Sequence, residues 1–352
     1  MTEITRLTKY SKGGGCGCKI APSVLQQILH TNSAAPDFKN LLVGSETADD
    51  AAVYKISNDV AVISTADFFL PIVDNPFEFG RIAAANAISD IYAMGGTPLM
   101  AVAILGFPVD HLPIETAQQI LEGGRTICKE ANIPLAGGHT IDSSEPIFGL
   151  AVTGTVDLKH LKKNNTAQKG DILFLTKPIG TGILATALKR EILQEEHYTS
   201  LINQLTQLND IGEKLGKSEA VHAMTDVTGF GLLGHLVEIA EGSKLSIELF
   251  YNQIKKSPGL DFYLQQKTIP DASFRNWNSY SNKVQFEKGV SVMEAFSLLP
   301  DPQTNGGLVF SVSPESIDII KQLLSTEKYS SFIEPIGVCV SKNEKTIIVR
   351  NL

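Results

Sequence analysis

Short apolar runs alternate with longer amphipathic stretches along the first half of the chain. Residues 60–65 and 99–105 are apolar, carry β-branched side chains and lie close to Gly, Pro or Asp, which predicts two buried strands. Residues 77–94 contain no proline and are followed by two glycines, which predicts a helix between the strands. A second helix is predicted over residues 114–131 and another strand over residues 147–156. The elements interleave less regularly than in a doubly wound sheet, so the pattern indicates an α+β protein.

The second half of the chain begins after a polar, basic stretch at residues 157–170. We predict a strand at 172–176, a polar helical stretch at 194–215, a helix at 232–240 and then a long polar loop region. A domain boundary is therefore placed between residues 157 and 158. The expected parts are a mobile segment rich in glycine and cysteine that ends with a first helix (1–40), an N-terminal domain (41–157) and a C-terminal α+β domain (158–352).

Composition and charge exclude several classes of protein. The 352 residues are 43% hydrophobic and 19% charged, as in a folded protein with a large core. The net charge of −8 provides no overall positive field for nucleic-acid phosphates. Four cysteines do not make a disulfide framework in so long a chain, which favours a reducing compartment, the cytoplasm. No leader or membrane span is expected, because the longest apolar run, residues 99–105, is too short to cross a bilayer.

A glycine-rich segment with two thiols, GGGCGCK, occupies residues 13–19. In an extended chain Cys16 and Cys18 would point to the same side, and Lys19 could stabilise a thiolate or contact phosphate. The plain alternative is a flexible arm with two incidental thiols. A zinc site is disfavoured because no second cysteine pair follows at suitable spacing. The segment is not a Walker A loop either, since Cys18 and Ile20 replace its Gly and its Ser or Thr.

Several aspartates lie at predicted strand ends, in turns or on the first predicted helix. They are Asp49, Asp50, Asp67, Asp90 and Asp226. Mg²⁺ takes oxygen ligands, and a nucleotide enzyme without a P-loop needs carboxylates to hold metal and phosphate together. Asp90 shares a helix face with Asn86, four residues earlier. Each aspartate alone is more often a cap or turn residue, so only their convergence would make a site.

Two glycine-rich segments are weak signals of ligand binding. Residues 229–234 match G-x-G-x-x-G, and Glu248 lies about where a ribose-binding acid would lie. We reject a dinucleotide site, because residues 222–228 are short and polar for the strand that should precede it. A turn into the helix at 232–240, whose N–H groups could face an anion, is the better interpretation. At residues 137–142 (GGHTID) the backbone would permit close approach of a ligand.

Taken together, these segments resemble the selenide, water dikinases, also called selenophosphate synthetases. The matching stretches are GGGCGCK at 13–19, LLVGSETADDAAVY at 41–54, STADFFLPIVDNPFEFGRIAAANAISDIYAMGG at 64–96, AGGHTID at 136–142, EPIFGLAVTG at 145–154, AMTDVTGFGLLGH at 223–235 and DPQTNGG at 301–307. They follow the family's order across nearly the whole chain. One departure is Asn305, where the family's stretch is expected to have Ser.

The resemblance implies a fold and a reaction. The fold is the two-domain α+β fold shared with aminoimidazole ribonucleotide synthetase, in which strands of the N-terminal domain pair across a homodimer into a barrel-like sheet. That domain would bind ATP and Mg²⁺. The reaction converts ATP, selenide and water into selenophosphate, AMP and inorganic phosphate. The resemblance implies neither a nucleic acid nor a membrane as a partner. It does imply a transient handover of the product to selenium-using enzymes.

The resemblance also assigns roles to residues. Cys16 would be the nucleophile that handles selenium, and Lys19 the catalytic cation near the phosphates. Asp50, Asp90 and Asp226 would hold Mg²⁺, with Asp67 and Asp90 on the same nucleotide–metal cluster. The ATP site would be lined by Lys19, Ser45, Glu46, Thr47, Ala48 and Asp49, together with Gly138, His139 and Thr140 of the partner subunit.

Two other functions compete with this one. Another ATP-dependent enzyme of the same fold, such as an aminoimidazole ribonucleotide synthetase or a thiamine-phosphate kinase, would share the aspartates but would not need GGGCGCK. A non-catalytic selenium carrier would use Cys16 and Cys18 to deliver selenium to a partner protein. The acidic residues argue against a carrier, which has no need of carboxylates placed for Mg²⁺.

Overall fold

A six-stranded sheet is built from the first half of the chain. The computed structural model describes residues 6–10, 14–20, 22–29, 38–44, 49–326 and 328–352. The strands of this sheet are β1 (Leu41–Val43), β2 (Ala52–Lys55), β3 (Val60–Phe69), β4 (Thr97–Phe107), β5 (Leu135–Asp142) and β6 (Ile147–Asp157). Their spatial order is β1-β2-β3-β6-β4-β5, and all neighbours are antiparallel except β4 and β5. The strands predicted at 60–65, 99–105 and 147–156 are confirmed, and the first two are longer than predicted.

Helix α2 (Pro76–Ala93) lies between the two halves of the molecule, and the helix predicted at 77–94 is thereby confirmed. Asn75 caps its first turn by accepting a 3.1 Å hydrogen bond from the Glu78 N–H, and Pro76 fits the first helical position. Every residue from Phe79 to Ala93 except Arg81 is buried. The helix contacts β3 and β6 of the first sheet and also elements of the second half. Polar side chains on α2 are therefore held inside the protein.

Two further helices belong to the first half, α1 (Pro22–Leu29) and α3 (Ile114–Glu130). The second of these confirms the helix predicted at 114–131. It packs closely on α2 through glycines, because a Cβ on Gly80 would lie 1.9 Å from the Ile120 carbonyl oxygen. A Cβ on Gly123 would lie 2.0 Å from the Phe77 carbonyl oxygen, so neither helix could approach the other with a larger residue there.

The second half forms a seven-stranded mixed sheet. Its strands are β7 (Ile172–Leu175), β8 (Val221–Asp226), β9 (Leu245–Phe250), β10 (Val284–Phe286), β11 (Leu308–Val312), β12 (Gly337–Ser341) and β13 (Ile347–Arg350), in the order β10-β13-β9-β12-β7-β11-β8. Its helices are α4 (Thr181–Lys189), α5 (Glu195–Thr206), α6 (Ile211–Gly216), α7 (Gly231–Gly242), α8 (Leu260–Gln265), α9 (Asp271–Tyr280), α10 (Val292–Leu298) and α11 (Ile317–Leu324). Each half of the chain combines one sheet with several helices, which confirms the α+β class.

Three sequence-based expectations for the second half are wrong. The long polar loop region predicted beyond residue 240 contains β9, α8, α9, β10 and α10, whose short lengths and polar outer faces hide their periodicity. The helical stretch at 194–215 is two helices, and the buried Asn209 lies in the break between them. Residues 222–226, which were expected to be too short and polar for a strand before the glycine-rich turn, belong to the buried strand β8.

A dinucleotide-binding unit would place β8 and β9 side by side, whereas β11, β7 and β12 lie between them in this sheet. The predicted helix at 232–240 is confirmed as α7. Within the described ranges, no helix is long and apolar enough to cross a lipid bilayer.

Candidate active site

The two thiols of the glycine-rich segment lie on a single turn of 3₁₀ helix, Gly15–Cys18. Cys16 is 1% exposed, its N–H donates to Thr304 Oγ1 at 2.9 Å, and its thiol donates to Asn86 Oδ1 at 3.2 Å. Cys18 is only partly buried, and its thiol donates to the Gly15 carbonyl at 2.9 Å. Because three residues complete a 3₁₀ turn, residues two apart do not share a face as they would in an extended chain. The two thiols therefore have different surroundings.

Lys19 follows the turn and pairs with Asp67, with 3.7 Å between Nζ and Oδ2. Burial opposes a positive charge on Lys19, but the charges of Asp67, Cys16, Asp90 and Asp226 outweigh it and raise the pKa of Lys19 above its usual value. The ammonium group is therefore kept charged. Asp67 also accepts a 2.5 Å hydrogen bond from Asn86 Nδ2, so the pair is anchored on helix α2.

Three further aspartates each accept a hydrogen bond from a hydroxyl group. Thr65 on β3 donates to Asp90 at 2.5 Å, Ser89 on α2 donates to Asp226 at 2.5 Å, and Thr225 on β8 donates to Asp50 at 2.6 Å. These donors come from both halves of the molecule. The aspartates predicted to converge from distant parts of the sequence do so around helix α2.

Burial and mutual repulsion raise the pKa values of these carboxyl groups. Burial is the largest cause for Asp50 and Asp90, and the charge of Asp226 adds to it in both cases. Burial likewise raises the pKa of Asp226, against the opposing effect of the Ser89 hydrogen bond. Close carboxylates of this kind are stabilised by a cation that offsets their charge.

The donor set fits Mg²⁺, a hard cation that prefers oxygen ligands. Nothing in the described part of the chain donates a hydrogen bond to Asp50 Oδ2, a buried oxygen that is thus open to a cation. No group of three or more His, Cys, Asp or Glu side chains in the described ranges is already arranged to hold a metal ion. Asp50, Asp90 and Asp226 would hold the ion, since each hydroxyl donor occupies only one oxygen of its carboxylate.

Some predicted nucleotide-binding residues lie elsewhere or outside the described residues. Ser45, Glu46, Thr47 and Ala48 are outside the described residues, whereas Asp49 accepts a 2.8 Å hydrogen bond from the Asn164 N–H. Gly138, His139 and Thr140 are exposed on the edge strand β5. Strands β3, β6 and β4 separate β5 from β2, which corresponds to about 19 Å at the usual strand spacing. Within one chain, the structure does not bring these three residues to Asp50.

Comparison with known proteins decides the family. The sequence model for the N-terminal domain of AIR synthase related proteins matches residues 48–156, and that for the C-terminal domain matches residues 168–350. A selenide, water dikinase of Haemophilus influenzae strain 86-028NP is 51% identical over 347 residues, which covers 99% of this chain and 98% of the relative. The chain belongs to the selenide, water dikinase family. The resemblance inferred from its motifs is thereby confirmed.

Other similar proteins agree with this assignment. A selenide, water dikinase of Enterobacter sp. strain 638 is 53% identical over 322 residues, covering 91% of this chain and 92% of the relative. The crystal structure of a thiamine-monophosphate kinase from Stenotrophomonas maltophilia K279a has a TM-score of 0.65 and 19% identity, over 88% of this chain and 91% of that one. The kinase shares the two-domain fold, which confirms the predicted two-domain α+β fold of the chain.

Sequence reasoning missed most of the side chains that hold the candidate site in place. The sequence places Asn86 only on a helix face with Asp90, Thr304 only in a matching stretch, and Asn305 only as a departure from that stretch. Asn209 was not noticed at all, although its side chain donates to Ser89 Oγ and to the Gly306 carbonyl at 2.8 Å. The available signal was position: Asn86 and Ser89 lie on the face of α2 that carries Asp90.

A cavity of about 650 Å³ adjoins the turn that carries the dikinase thiols. Gly14, Gly17 and Cys18 form part of its wall, together with the basic side chains of Lys189, Arg190 and Arg275. Cys16 is not among the lining residues. The cavity therefore gives access to one thiol and leaves the other covered.

Proposed function

We propose that this dikinase makes selenophosphate at the site formed by Cys16, Lys19 and the four aspartates Asp50, Asp67, Asp90 and Asp226. The protein is a selenide, water dikinase by family, so its substrates are ATP, selenide and water, and its products are selenophosphate, AMP and phosphate. The observation that carries the site assignment is the convergence on helix α2 of a buried thiol, a charged lysine and carboxylates that need a cation.

The aspartates would serve the phosphates of ATP through Mg²⁺. Asp50, Asp90 and Asp226 would hold the metal, which supplies positive charge against the triphosphate and the developing charge of phosphoryl transfer. Lys19 adds a second positive charge close to the carboxylates. Because Asp67 keeps that ammonium charged and tethered, Lys19 can stabilise a migrating phosphoryl group without an intervening proton transfer.

Cys16 would handle selenium, for which a soft sulfur is a better partner than an oxygen nucleophile. Burial raises the pKa of its thiol, while the charge of Lys19 lowers it. The thiol is thus covered from water and next to the lysine that would hold the phosphoryl group. Exclusion of water matters here because a reactive phosphoryl intermediate would otherwise be hydrolysed before the transfer to selenium.

The uncovered face of the first sheet supports a homodimer as part of the same proposal. Helices α2 and α3 lie on one face, whereas Tyr54, Phe68, Met100 and Val102 project from the other and are exposed. Exposed apolar residues grouped on one face of a sheet are typical of an interface. A second copy pairing on it would bring Gly138, His139 and Thr140 of one subunit toward the Asp50 side of the other, and so complete the ATP site.

We extend the proposal to the setting in which the enzyme works. All four cysteines are free thiols, which suits a reducing compartment such as the cytoplasm. Such a compartment would also keep selenide reduced. The product would then pass, by a transient handover, to enzymes that incorporate selenium.

Phosphorus NMR tests the proposed function directly. The protein is incubated anaerobically with ATP, Mg²⁺ and selenide in a thiol-containing buffer, beside a reaction that lacks selenide. The expected result is selenophosphate together with AMP and phosphate in the complete reaction alone. ADP as the sole product, or turnover indifferent to selenide, would assign this site to another ATP-dependent reaction of the same fold.

A further inference from the structure

The side-chain amide of Asn86 lies between the catalytic thiol and the aspartate that holds Lys19. Its oxygen accepts the hydrogen bond from Cys16 Sγ, and its nitrogen donates to Asp67 Oδ2. Asn86 is fully buried, so water cannot substitute for either partner. One amide therefore sets the direction of the thiol and the position of the carboxylate together.

The orientation of this amide is fixed from the other half of the molecule. The backbone N–H of Asn305 donates to Asn86 Oδ1 at 2.7 Å. A rotated amide would place Nδ2 opposite that N–H, so two donors would face each other and a buried N–H would lose its acceptor. The rotation would also turn an oxygen toward the Asp67 carboxylate. Only the observed orientation satisfies all three neighbours.

Asn305 is itself held rigidly in an unusual backbone conformation. Its φ of +45° lies in the left-handed region, which asparagine tolerates better than most residues. Its Nδ2 donates to the carbonyls of Leu205 at 2.7 Å and Gln207 at 2.9 Å. The buried Lys177 donates to the Asn305 carbonyl at 2.8 Å. Hydrogen bonds therefore hold both the side chain and the carbonyl of Asn305, and these fix the position of the N–H that faces Asn86.

We propose that Asn305 is a positioning residue for Cys16, acting through Asn86: its anchored N–H keeps the Asn86 amide in the one orientation that directs the thiol. The inference rests on the proposed function, because it takes Cys16 as the catalytic thiol. Asn305 touches neither the thiol nor Asp67, so its effect must pass through the amide of Asn86. The two residues should consequently behave as one unit when both are changed.

A double-mutant cycle on the full-length protein tests this coupling. The variants are Asn86→Ala, Asn305→Gly and the double variant; glycine retains the left-handed backbone but loses both side-chain anchors. The first readout is the rate at which iodoacetamide alkylates Cys16 without nucleotide, followed by mass spectrometry, with Cys18 as the internal reference. Each single change is expected to speed alkylation of Cys16 about fivefold, the effect of losing one hydrogen bond. The double variant should be no faster than Asn86→Ala.

The second readout separates positioning from loss of structure. In Asn305→Gly, kcat for selenophosphate should fall about fivefold while KM for ATP stays within about twofold of the unchanged enzyme. Ser246→Ala is the matched control, since it removes two hydrogen bonds of a buried hydroxyl on strand β9, to the Lys345 carbonyl and from the Asn343 N–H, that do not involve the Asn305 network. It should alkylate at the rate of the unchanged protein. If Asn305→Gly proves unstable, Asn305→Ser is measured in the same cycle, because Ser is the residue expected at this position in the family and it also lacks the Nδ2 donor.

Two outcomes would overturn the inference. One is an alkylation rate of Cys16 that stays unchanged in both Asn305 variants, and the other is multiplication of the two single effects in the double variant. Neither outcome depends on turnover. Failure of the proposed function would instead show as selenophosphate formation that survives replacement of Cys16, whatever the alkylation rates are.

Discussion

Ser89 Oγ, on the central helix α2, donates a 2.5 Å hydrogen bond to Oδ2 of Asp226, at the end of strand β8 in the other half of the chain. Asn209 donates in turn to the same Ser89 oxygen at 2.8 Å. The carboxylate of one half is thus held by a hydroxyl of the other. The aspartates proposed to hold Mg²⁺ can converge only when the two halves are packed together, so folding of both is a condition for the proposed site.

Removing one carboxylate should separate stability from activity. In Asp50→Asn the repulsion among Asp50, Asp90 and Asp226 is relieved, so without Mg²⁺ the free energy of unfolding should rise by about 1 kcal/mol. Mg²⁺-dependent ATP turnover should fall at least about 100-fold, because a ligand and its charge are lost. Urea unfolding and AMP release measure the two effects.

The control is Asp59→Asn, which changes an exposed carboxylate and should alter neither stability nor turnover. Full turnover in Asp50→Asn would show that Asp50 does not belong to the proposed metal site.

The two thiols should respond differently to the same change. Cys16→Ser should bind nucleotide within about twofold of the unchanged protein but lose selenophosphate formation by about three orders of magnitude. Cys18→Ser should retain most activity, since its thiol donates to the Gly15 carbonyl and a hydroxyl can do the same. Nucleotide binding is measured by calorimetry and the product by phosphorus NMR. Equal losses in both variants would mean that the turn as a whole, and not Cys16, is required.

Local patterns were sufficient to predict the elements around the site. Strands β3, β4 and β6 and helix α2 each carry their own apolar periodicity, and a helix of this length brings Asn86 and Asp90 to one face whatever the rest of the chain does. The motif matches then predicted the family and the fold. Regions beyond residue 240 were predicted poorly, because α8, α9 and α10 are short and their burial depends on partners far along the chain.

The residues that hold the site together could not be found in this way. Asn305 meets Asn86 across 219 positions of sequence, and Thr304 meets Cys16 across 288. Such contacts are decided by how the halves pack and leave no periodic trace in the sequence. The 3₁₀ turn at Gly15–Cys18 was equally hidden, since four glycines in seven residues permit almost any backbone conformation.

A buried carboxyl group outside the metal site should make stability depend on pH. Burial raises the pKa of Asp301 to about 8, against hydrogen bonds from Gln303 and from the N–H groups of Ile183 and Gly182. The folded protein then binds a proton that the unfolded chain releases near pH 4, so this contribution to stability is lost as pH rises from about 4 through about 8. Asp301→Asn should flatten that decline.

The measurement is urea unfolding at several pH values between 5 and 9 in EDTA, for the unchanged protein and for Asp301→Asn. The metal-site carboxyl groups, whose pKa values are also raised, add a slope of the same sign. The test is therefore the difference between the two proteins. Parallel curves would show that Asp301 carries its charge throughout this range.

A glycine beside the turn that carries Cys16 should be irreplaceable for steric reasons. A Cβ on Gly229 would lie 2.8 Å from the Cys16 carbonyl oxygen and 3.0 Å from Lys19 Cδ. Gly229→Ala should therefore displace the turn and reduce kcat for selenophosphate about tenfold or more, with a smaller effect on ATP affinity. Gly17→Ala is the comparison, because its Cβ would make only an ordinary 3.6 Å contact with Pro302. Similar losses in both variants would point to lost flexibility instead of the clash.

Mixing two inactive variants tests whether the ATP site is shared between subunits. His139→Ala and Asp50→Ala should each be inactive alone, because every site of such a dimer lacks one of the two side chains. Strands β3, β6 and β4 keep the two residues apart within one chain, so a site that uses both would take them from different subunits. In a mixed dimer, one site combines the intact Asp50 of one subunit with the intact His139 of the other. A mixed dimer has one of its two sites restored, so isolated mixed dimers should recover about half of the activity of the unchanged protein.

The control for this experiment is a mixture of Asp50→Ala with Asp90→Ala. Both changes affect the part of the site contributed by the same subunit, so every site in the mixed dimer keeps one defect and no activity should return. Co-expression with two different tags and tandem purification isolates the mixed dimers, and AMP release measures the recovery. If mixed dimers form but the His139 and Asp50 variants do not complement each other, His139 does not belong to the partner's site. The exposed apolar face of Phe68, Met100 and Val102 would then account for the dimer alone.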